Sequence, residues 1–185
     1  QRLAAHCDRI AVVGQSLGGL LTLRLAQQLG SKLAAVATLA APLWLPPLAR
    51  TAIRLTRDGT PLRRVLSKLP KLGGPDIRDQ EYKTRIPGYR VIPIGALHQL
   101  VGLMNTVRGE LALVRAPLLV IHGENDHTVP YDCSLELAAR AGAETVQHVA
   151  LERSYHQVAL DVERDRVAEL VGGFFDIHLK IPADS

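Results

Sequence analysis

The chain has 185 residues and a mass of 20.1 kDa, which is long enough for one domain with a sizeable core. Hydrophobic residues make up 47% of the sequence and charged residues 22%, which excludes disordered, collagen-like and coiled-coil proteins. A net charge of +4 and an aromatic content of 4% argue against nucleic-acid binding. The two cysteines, Cys7 and Cys133, are too few for a disulfide framework, so we expect a reduced, cytoplasmic protein.

The first predicted elements alternate between strand and helix. An apolar run over 9–14 predicts a buried strand, the pattern over 17–29 predicts a helix, and 33–39 predicts a second strand. The longest uncharged run, 33–49, is shorter than the roughly 20 residues of a membrane span and contains three prolines, so it predicts no transmembrane helix.

The segment 43–114 interrupts this alternation and predicts a helical lid. A second lid helix is predicted over 96–107. The first lid helix is predicted from four apolar residues at helical spacing: Leu62, Val65, Leu66 and Leu69.

The alternation resumes after the lid. We predict a strand over 117–122, a helix over 130–141 and a strand over 145–150. A final amphipathic helix is predicted from the apolar face formed by Val167, Leu170, Val171 and Phe174.

Strands that alternate with helices predict a parallel sheet that helices cover on both faces. We therefore divide the chain into a core formed by 1–42 and 115–185 and a lid formed by 43–114. In open sheets of this kind ligands bind at the carboxyl ends of the strands, which is where the lid would lie.

Residues 14–18 read Gly-Gln-Ser-Leu-Gly and join the first predicted strand to the first predicted helix. In this context a sharp turn lifts the hydroxyl of Ser16 above the sheet, where it can act as a nucleophile. The alternative is an ordinary glycine-rich turn in which Ser16 caps the helix.

Two later loops supply an acid and a base in the order that such a fold requires. Asp126 follows the strand 117–122, and His156 follows the strand 145–150. Alternatives remain open: Asp126 could cap the next helix, Glu124 could be the acid, and His156 could be a surface residue. The other histidines considered are less well placed: His6, His98, His148 and His178.

The loop after the third core strand is also rich in possible metal ligands. His122, Glu124, Asp126 and His127 do not follow the spacing of ligands on one helix face, so we predict no metal site.

Three motifs, GQSLGG, VIHGENDHTVP and ERSYHQVALDVERDRV, together resemble the α/β-hydrolase superfamily, specifically its small bacterial carboxylesterases and monoacylglycerol-lipase-like esterases. The resemblance covers nearly the whole chain. It implies Ser16 as nucleophile, His156 as base and then acid, Asp126 as the orienting carboxylate and the Leu17 N–H as an oxyanion donor. It also implies hydrolysis of short- to medium-chain acyl esters or monoacylglycerols through an acyl-enzyme, with no cofactor.

The lid supplies candidate residues for an acyl pocket, although an apolar lid residue more often serves packing alone. The candidates are Leu43, Trp44, Leu97, Leu103 and Met104.

One departure from these relatives concerns the region ahead of the nucleophile. The resemblance implies several further strands and a second oxyanion donor there, whereas this chain begins about eight residues before the nucleophile strand. We therefore expect this segment alone to be weakly active or inactive, with an exposed sheet edge through which it could form oligomers. Two alternatives remain: the same triad used as thioesterase, aminopeptidase or acyltransferase, and a non-catalytic segment that needs a partner.

Overall fold

A computed structural model describes residues 3–56, 60, 67–70, 74–86 and 91–180. The strands are β1 (Ala11–Gln15), β2 (Ala35–Leu39), β3 (Lys68–Pro70), β4 (Val91–Pro93), β5 (Leu118–Gly123) and β6 (Val146–Leu151). The α-helices are α1 (Leu17–Leu29), α2 (Pro47–Leu55), α3 (Gln80–Arg85), α4 (Ile94–Gly109), α5 (Asp132–Arg140) and α6 (Arg164–Leu179). No described helix is long and apolar enough to span a membrane.

The core is an open parallel sheet in the order β1-β2-β5-β6. β2 and β5 are buried along their whole length because each has a neighbouring strand on both sides and helices above and below. The α/β class predicted from the sequence is confirmed. The predicted core elements begin and end within about two residues of the observed ones.

The two faces of the sheet bury separate apolar clusters, because successive side chains of a strand point to opposite faces. On one face Val36 and Leu118 pack against apolar residues of α1, α4 and α5. On the other face Ala37 and Leu119 pack with Val167 of α6. The predicted amphipathic C-terminal helix therefore covers the second face.

The lid differs from the prediction in its first half. Leu69 lies in β3, which pairs with β4 as a short antiparallel ribbon, so it does not belong to a helix. Pro70 and Pro93 in this ribbon lack the N–H that a helix interior requires. The other residues of the predicted helical face, Leu62, Val65 and Leu66, lie outside the described residues. The second lid helix is present as α4.

β1 is an edge strand of the described sheet, as expected for the nucleophile strand. Val13 on this strand is exposed, and so are Leu17 and Leu21 on the neighbouring face of α1. This apolar surface therefore lies beside unpaired strand backbone, which is a template for pairing with another strand.

Candidate active site

The end of β1 forms the sharp turn predicted for residues 14–18. Ser16 has φ 54° and ψ −119°, a conformation that costs energy for a residue with a side chain. Its N–H donates to the carbonyl of Leu39 at 2.8 Å, which holds the turn against β2. The hydroxyl of Ser16 consequently lies at the carboxyl edge of the sheet, at the N-terminus of α1.

The glycines of this turn have different packing constraints. A Cβ at Gly14 would lie 2.2 Å from the carbonyl oxygen of Gly18, so strand and helix can approach only because Gly14 has no side chain. A Cβ at Gly19 would lie 2.9 Å from the Cβ of Ala41, whereas one at Gly18 would meet nothing within 4 Å. Close packing therefore explains Gly14 and Gly19, and does not explain Gly18.

The loop after β5 positions the carboxylate of Asp126, whose side chain is buried. One carboxylate oxygen, Oδ1, accepts hydrogen bonds from the N–H groups of Thr128 at 2.8 Å and Val129 at 2.7 Å. The N–H of Asp126 donates to the carbonyl of Gly123 at 3.2 Å. This turn fixes one oxygen and directs the other, Oδ2, toward the loop after β6.

His156, in the loop after β6, joins the other two predicted residues. Its Nδ1 lies 2.8 Å from Oδ2 of Asp126, and its Nε2 lies 2.8 Å from the hydroxyl oxygen of Ser16. Because the carboxylate can only accept, Nδ1 carries the proton and Nε2 is free to accept from the hydroxyl. The three side chains thus form one hydrogen-bonded chain.

The electrostatics of the site keep Asp126 ionised. Burial raises the pKa of this carboxyl group, but hydrogen bonds from His122, His156 and the Val129 amide outweigh burial and hold the pKa well below its usual value. An ionised carboxylate beside Nδ1 stabilises a positive charge on His156.

The alternatives considered for the acid and the base lie elsewhere. Glu124 is exposed, and its N–H donates to the carbonyl of Leu151. His148 bonds to the hydroxyl of Ser134, and His98 bonds to the carbonyl of Thr56 in the lid. Neither of these histidines is bonded to Ser16.

A glutamine inside the turn links it to the histidine loop, a contact that the sequence analysis did not predict. The side-chain amide of Gln15 donates to Oε1 of Gln157 at 2.6 Å, and its oxygen accepts from the N–H of Ala159 at 3.0 Å. The position beside the nucleophile is the only sequence signal that marks Gln15. These bonds connect the strand end that precedes Ser16 to the loop that carries His156.

Two carboxylates hold the lid segment 74–86 against the loops that carry Asp126 and His156. Asp76 accepts from the N–H and Nδ1 of His127, both at 2.9 Å, and from the hydroxyl of Thr128 at 3.0 Å. Asp161 is fully buried and accepts N–H bonds from both sides of the junction. Its donors are the amides of Arg78, Asp79, Tyr155 and Val162.

A cavity of about 830 Å³ opens between the lid and the sheet, with Ser16 and His156 in its wall. Its apolar side consists mainly of lid residues: Leu45, Pro46, Ala49, Ile53, Leu69, Ile92, Leu97 and Leu100. Its polar side consists of Asp76, Lys83, His127, Thr128, Tyr155 and Gln157. The hydroxyl of Ser16 therefore faces a cavity whose lining includes both apolar and polar side chains.

Leu97 is the one predicted pocket residue among the described lining of this cavity. Met104 lies two helical turns further along α4, about 10 Å away, and is buried in the core with Leu43. Leu103 packs against the same core cluster, as does Trp44, whose ring lies under the guanidinium of Arg108 at 4.7 Å. The sequence did not distinguish lid residues that face the cavity from those that face the core.

Comparison with known proteins places these features in a family. The model of the family described as serine aminopeptidase, S33, matches residues 2–163. A thermostable monoacylglycerol lipase of Bacillus sp. (strain H-257) is 27% identical over 176 residues, which are 95% of this chain and 66% of the relative. This chain thus spans slightly less than two thirds of that protein.

Solved structures agree with the fold. A structure described for LipS and LipT, two metagenome-derived lipolytic enzymes, superposes with a TM-score of 0.85 and 26% identity over 96% of this chain and 69% of its own. The monoacylglycerol lipase of Paleococcus ferrophilus superposes with a TM-score of 0.75 and 19% identity, over 91% of this chain and 69% of its own. The α/β-hydrolase fold expected from the three motifs is confirmed, and the chain belongs to the serine aminopeptidase S33 family of lipase- and esterase-like α/β hydrolases.

Proposed function

We propose that this protein hydrolyses carboxylic esters, with Ser16 as nucleophile, His156 as general base and acid, and Asp126 as the carboxylate that orients His156. The observation that carries the proposal is the hydrogen-bonded chain from Asp126 through His156 to Ser16, with both bonds at 2.8 Å. A serine hydroxyl is a weak nucleophile until a positioned base removes its proton.

The reaction proceeds in two halves. Oγ of Ser16 attacks the carbonyl carbon while its proton passes to Nε2 of His156, and the same Nε2–H then protonates the departing alcohol. The resulting acyl-enzyme is attacked by water, whose proton again passes to His156. Breakdown of the second tetrahedral intermediate returns the proton to Ser16 and releases the carboxylic acid.

The negative oxygen of each tetrahedral intermediate needs hydrogen-bond donors. Leu17 is the first residue of α1, so its N–H has no acceptor within the helix and lies beside the nucleophile. We assign it as one oxyanion donor, at the positive end of the helix dipole. Loss of one such donor typically lowers the rate by about 10²- to 10³-fold, so the Leu17 N–H would supply a large part of the proposed catalysis.

The lining of the cavity supports an ester with an apolar acyl chain and a polar alcohol. The apolar side, which includes Leu97 and Leu100, suits a short- to medium-chain acyl group. The polar side, which includes Thr128 and Gln157, offers hydrogen-bond partners for hydroxyl groups. We therefore propose monoacylglycerols or similar acyl esters as substrates, in line with the activity named for the Bacillus relative.

An aminopeptidase function, which the family description suggests, has less support. Such an enzyme must bind the α-ammonium group of its substrate, and a carboxylate is the usual partner for an ammonium group. Asp76 is the acidic residue among the described lining residues, and it already accepts bonds from His127 and Thr128. Parallel assays with esters, thioesters and aminoacyl amides discriminate these activities.

The first test is labelling with a fluorophosphonate probe, followed by measurement of the intact mass. We expect one adduct on the wild-type chain, no adduct on Ser16→Ala, and an unchanged adduct on Ser31→Ala, a control serine distant in the sequence. A folded wild-type chain without an adduct would contradict the proposal that this chain activates Ser16.

The second test concerns the acyl group. In Leu97→Trp the larger side chain would shorten the apolar side of the cavity, so the preferred acyl length among p-nitrophenyl esters should decrease. The same substitution at the exposed Leu113 should leave the preference unchanged. An unchanged preference in Leu97→Trp would exclude this side of the cavity as the acyl site.

Two further expectations remain proposals. Self-association through the exposed edge of β1 would appear as dimers or aggregates in sizing chromatography, and a monomer at all concentrations would contradict it. The second expectation is that the protein is located in the cytoplasm, which fractionation of the source cells tests.

A further inference from the structure

A second histidine contacts the carboxylate of Asp126 from behind. His122 lies in β5 with 1% of its side chain exposed. Its Nε2 lies 3.1 Å from Oδ2 of Asp126 and 3.3 Å from the carbonyl oxygen of Val129. Both neighbours are acceptors, so Nε2 must carry a proton for either contact to be favourable.

The other nitrogen of the His122 ring offers no hydrogen-bonding site for a second proton. Its Nδ1 is buried and has no hydrogen-bond partner among the described residues. A doubly protonated ring would bury an N–H without an acceptor, which costs about 1–3 kcal/mol. Neither Tyr131, in edge contact at 5.9 Å, nor His148 beyond it accepts a hydrogen bond from Nδ1.

Oδ2 of Asp126 therefore lies 2.8 Å from Nδ1 of His156 and 3.1 Å from Nε2 of His122, whose N–H is shared between Oδ2 and the carbonyl oxygen of Val129. Together with the amides of Thr128 and Val129 on Oδ1, four N–H groups surround this buried carboxylate. Hydrogen bonding to the charged form, including that from His122, holds the pKa of Asp126 low despite its burial.

We propose that His122 is a positioning residue for the hydrolytic reaction: its Nε2–H holds Oδ2 of Asp126 in line with Nδ1 of His156. This role rests on the proposed function. It differs from a packing role, because it depends on one donor at one atom and predicts which substitutions preserve activity.

Three substitutions separate the donor from the rest of the ring. In His122→Gln the amide nitrogen reaches as far from Cα as Nε2 does, so it can restore the donor. In His122→Asn it reaches only as far as Nδ1, and His122→Phe keeps a ring without any donor. His148→Gln is a matched control on the neighbouring strand, where the histidine does not contact Asp126.

The rate of fluorophosphonate labelling at Ser16 and kcat/KM are measured for variants that retain the wild-type near-UV circular dichroism. We expect His122→Gln and His148→Gln to remain within about threefold of wild type, and His122→Asn and His122→Phe to lose about tenfold or more. Equal losses in all three His122 variants, or no loss in any, would overturn the proposal.

A measurement on the wild type covers the case in which the variants do not fold. Long-range ¹H–¹⁵N correlation spectra distinguish the two neutral tautomers of a histidine, and we expect His122 to be neutral with its proton on Nε2. A proton on Nδ1 would overturn the proposal. This spectrum does not depend on turnover, so failure of the positioning role and failure of the hydrolase function give different results.

Discussion

Two segments of the lid contact the core by different means. α4 lies against α1 through apolar side chains, among them the buried Met104 and Val107. The segment 74–86 lies against the catalytic loops through carboxylates and N–H groups, chiefly those of Asp76 and Asp161. Both segments contribute residues to the lining of the same cavity, Leu97 and Leu100 from α4 and Asp76 from the segment 74–86.

The difference determines how each attachment responds to a small change. Apolar burial is non-directional and depends on volume, so it tolerates loss of one polar atom and is sensitive to loss of a methyl group. A buried carboxylate that accepts several N–H bonds depends on charge and geometry, so exchange of one oxygen for an NH₂ group disrupts it. We therefore expect α4 to contribute mainly to stability and the segment 74–86 mainly to the position of His156.

The largest expected effect is on the apolar side. Met104→Ala removes a side chain that is 1% exposed and leaves a cavity beneath α4, so the free energy of unfolding should fall by about 2–5 kcal/mol. Urea denaturation followed by circular dichroism measures this change. The labelling rate of Ser16 in the molecules that remain folded should stay within a few fold of wild type.

Leu113→Ala serves as a matched control, because this apolar residue is 47% exposed and should cost much less stability. Equal destabilisation by the two substitutions would show that burial at Met104 does not attach α4 to the core.

The second effect concerns the polar side. Asp161→Asn keeps the shape of the side chain but turns an NH₂ group toward N–H donors, so we expect a loss of about 1–3 kcal/mol of stability. Oδ2 accepts from the N–H of Tyr155 at 2.8 Å, and Tyr155 directly precedes His156. The labelling rate of Ser16 should therefore fall by about tenfold even where the variant is folded.

Asp165→Asn is the corresponding control, because Asp165 on α6 is exposed. This substitution also removes one negative charge but removes no buried hydrogen bond. If Asp165→Asn slowed labelling as much as Asp161→Asn, net charge rather than the buried carboxylate would be responsible.

The two kinds of attachment also differ in how well the sequence predicts them. The core strands and α1 follow from apolar periodicity, and the order of Ser16, Asp126 and His156 follows from the loops in which they lie. These features are local, because a strand end and the loop after it are adjacent in the chain. In the structure the three side chains are joined by hydrogen bonds. Their catalytic roles are the proposal that fluorophosphonate labelling tests.

The polar contacts of the lid could not be predicted in the same way. Asp76 and His127 are 51 positions apart, and Arg78 and Asp161 are 83 apart, with no periodic pattern that pairs them. The lining of the cavity is equally hard to predict from the sequence, because Leu97 and Met104 have similar apolar character and differ only in their position along α4. Both features arise from tertiary packing.

The smallest expected effect is on the chemical reactivity of Cys133, a thiol at the junction between lid and core. Cys133 is buried beside Trp44, whose carbonyl accepts its S–H, and burial raises the pKa of the thiol to about 11. At pH 8 it is therefore protonated and enclosed, whereas Cys7 is exposed. In native protein we expect one thiol, Cys7, to react rapidly with a disulfide reagent, and none to do so in Cys7→Ser.

The rate at which Cys133 is modified also shows which of the two attachments has opened. Cys133 belongs to the same apolar cluster as Met104, so in a Cys7→Ser background Met104→Ala should increase its rate of modification severalfold. Asp161→Asn disturbs hydrogen bonds outside this cluster and should leave the rate nearly unchanged. If both substitutions increased it equally, the lid would open as one unit, and the distinction between its apolar and polar attachments would hold for their contacts but not for their dynamics.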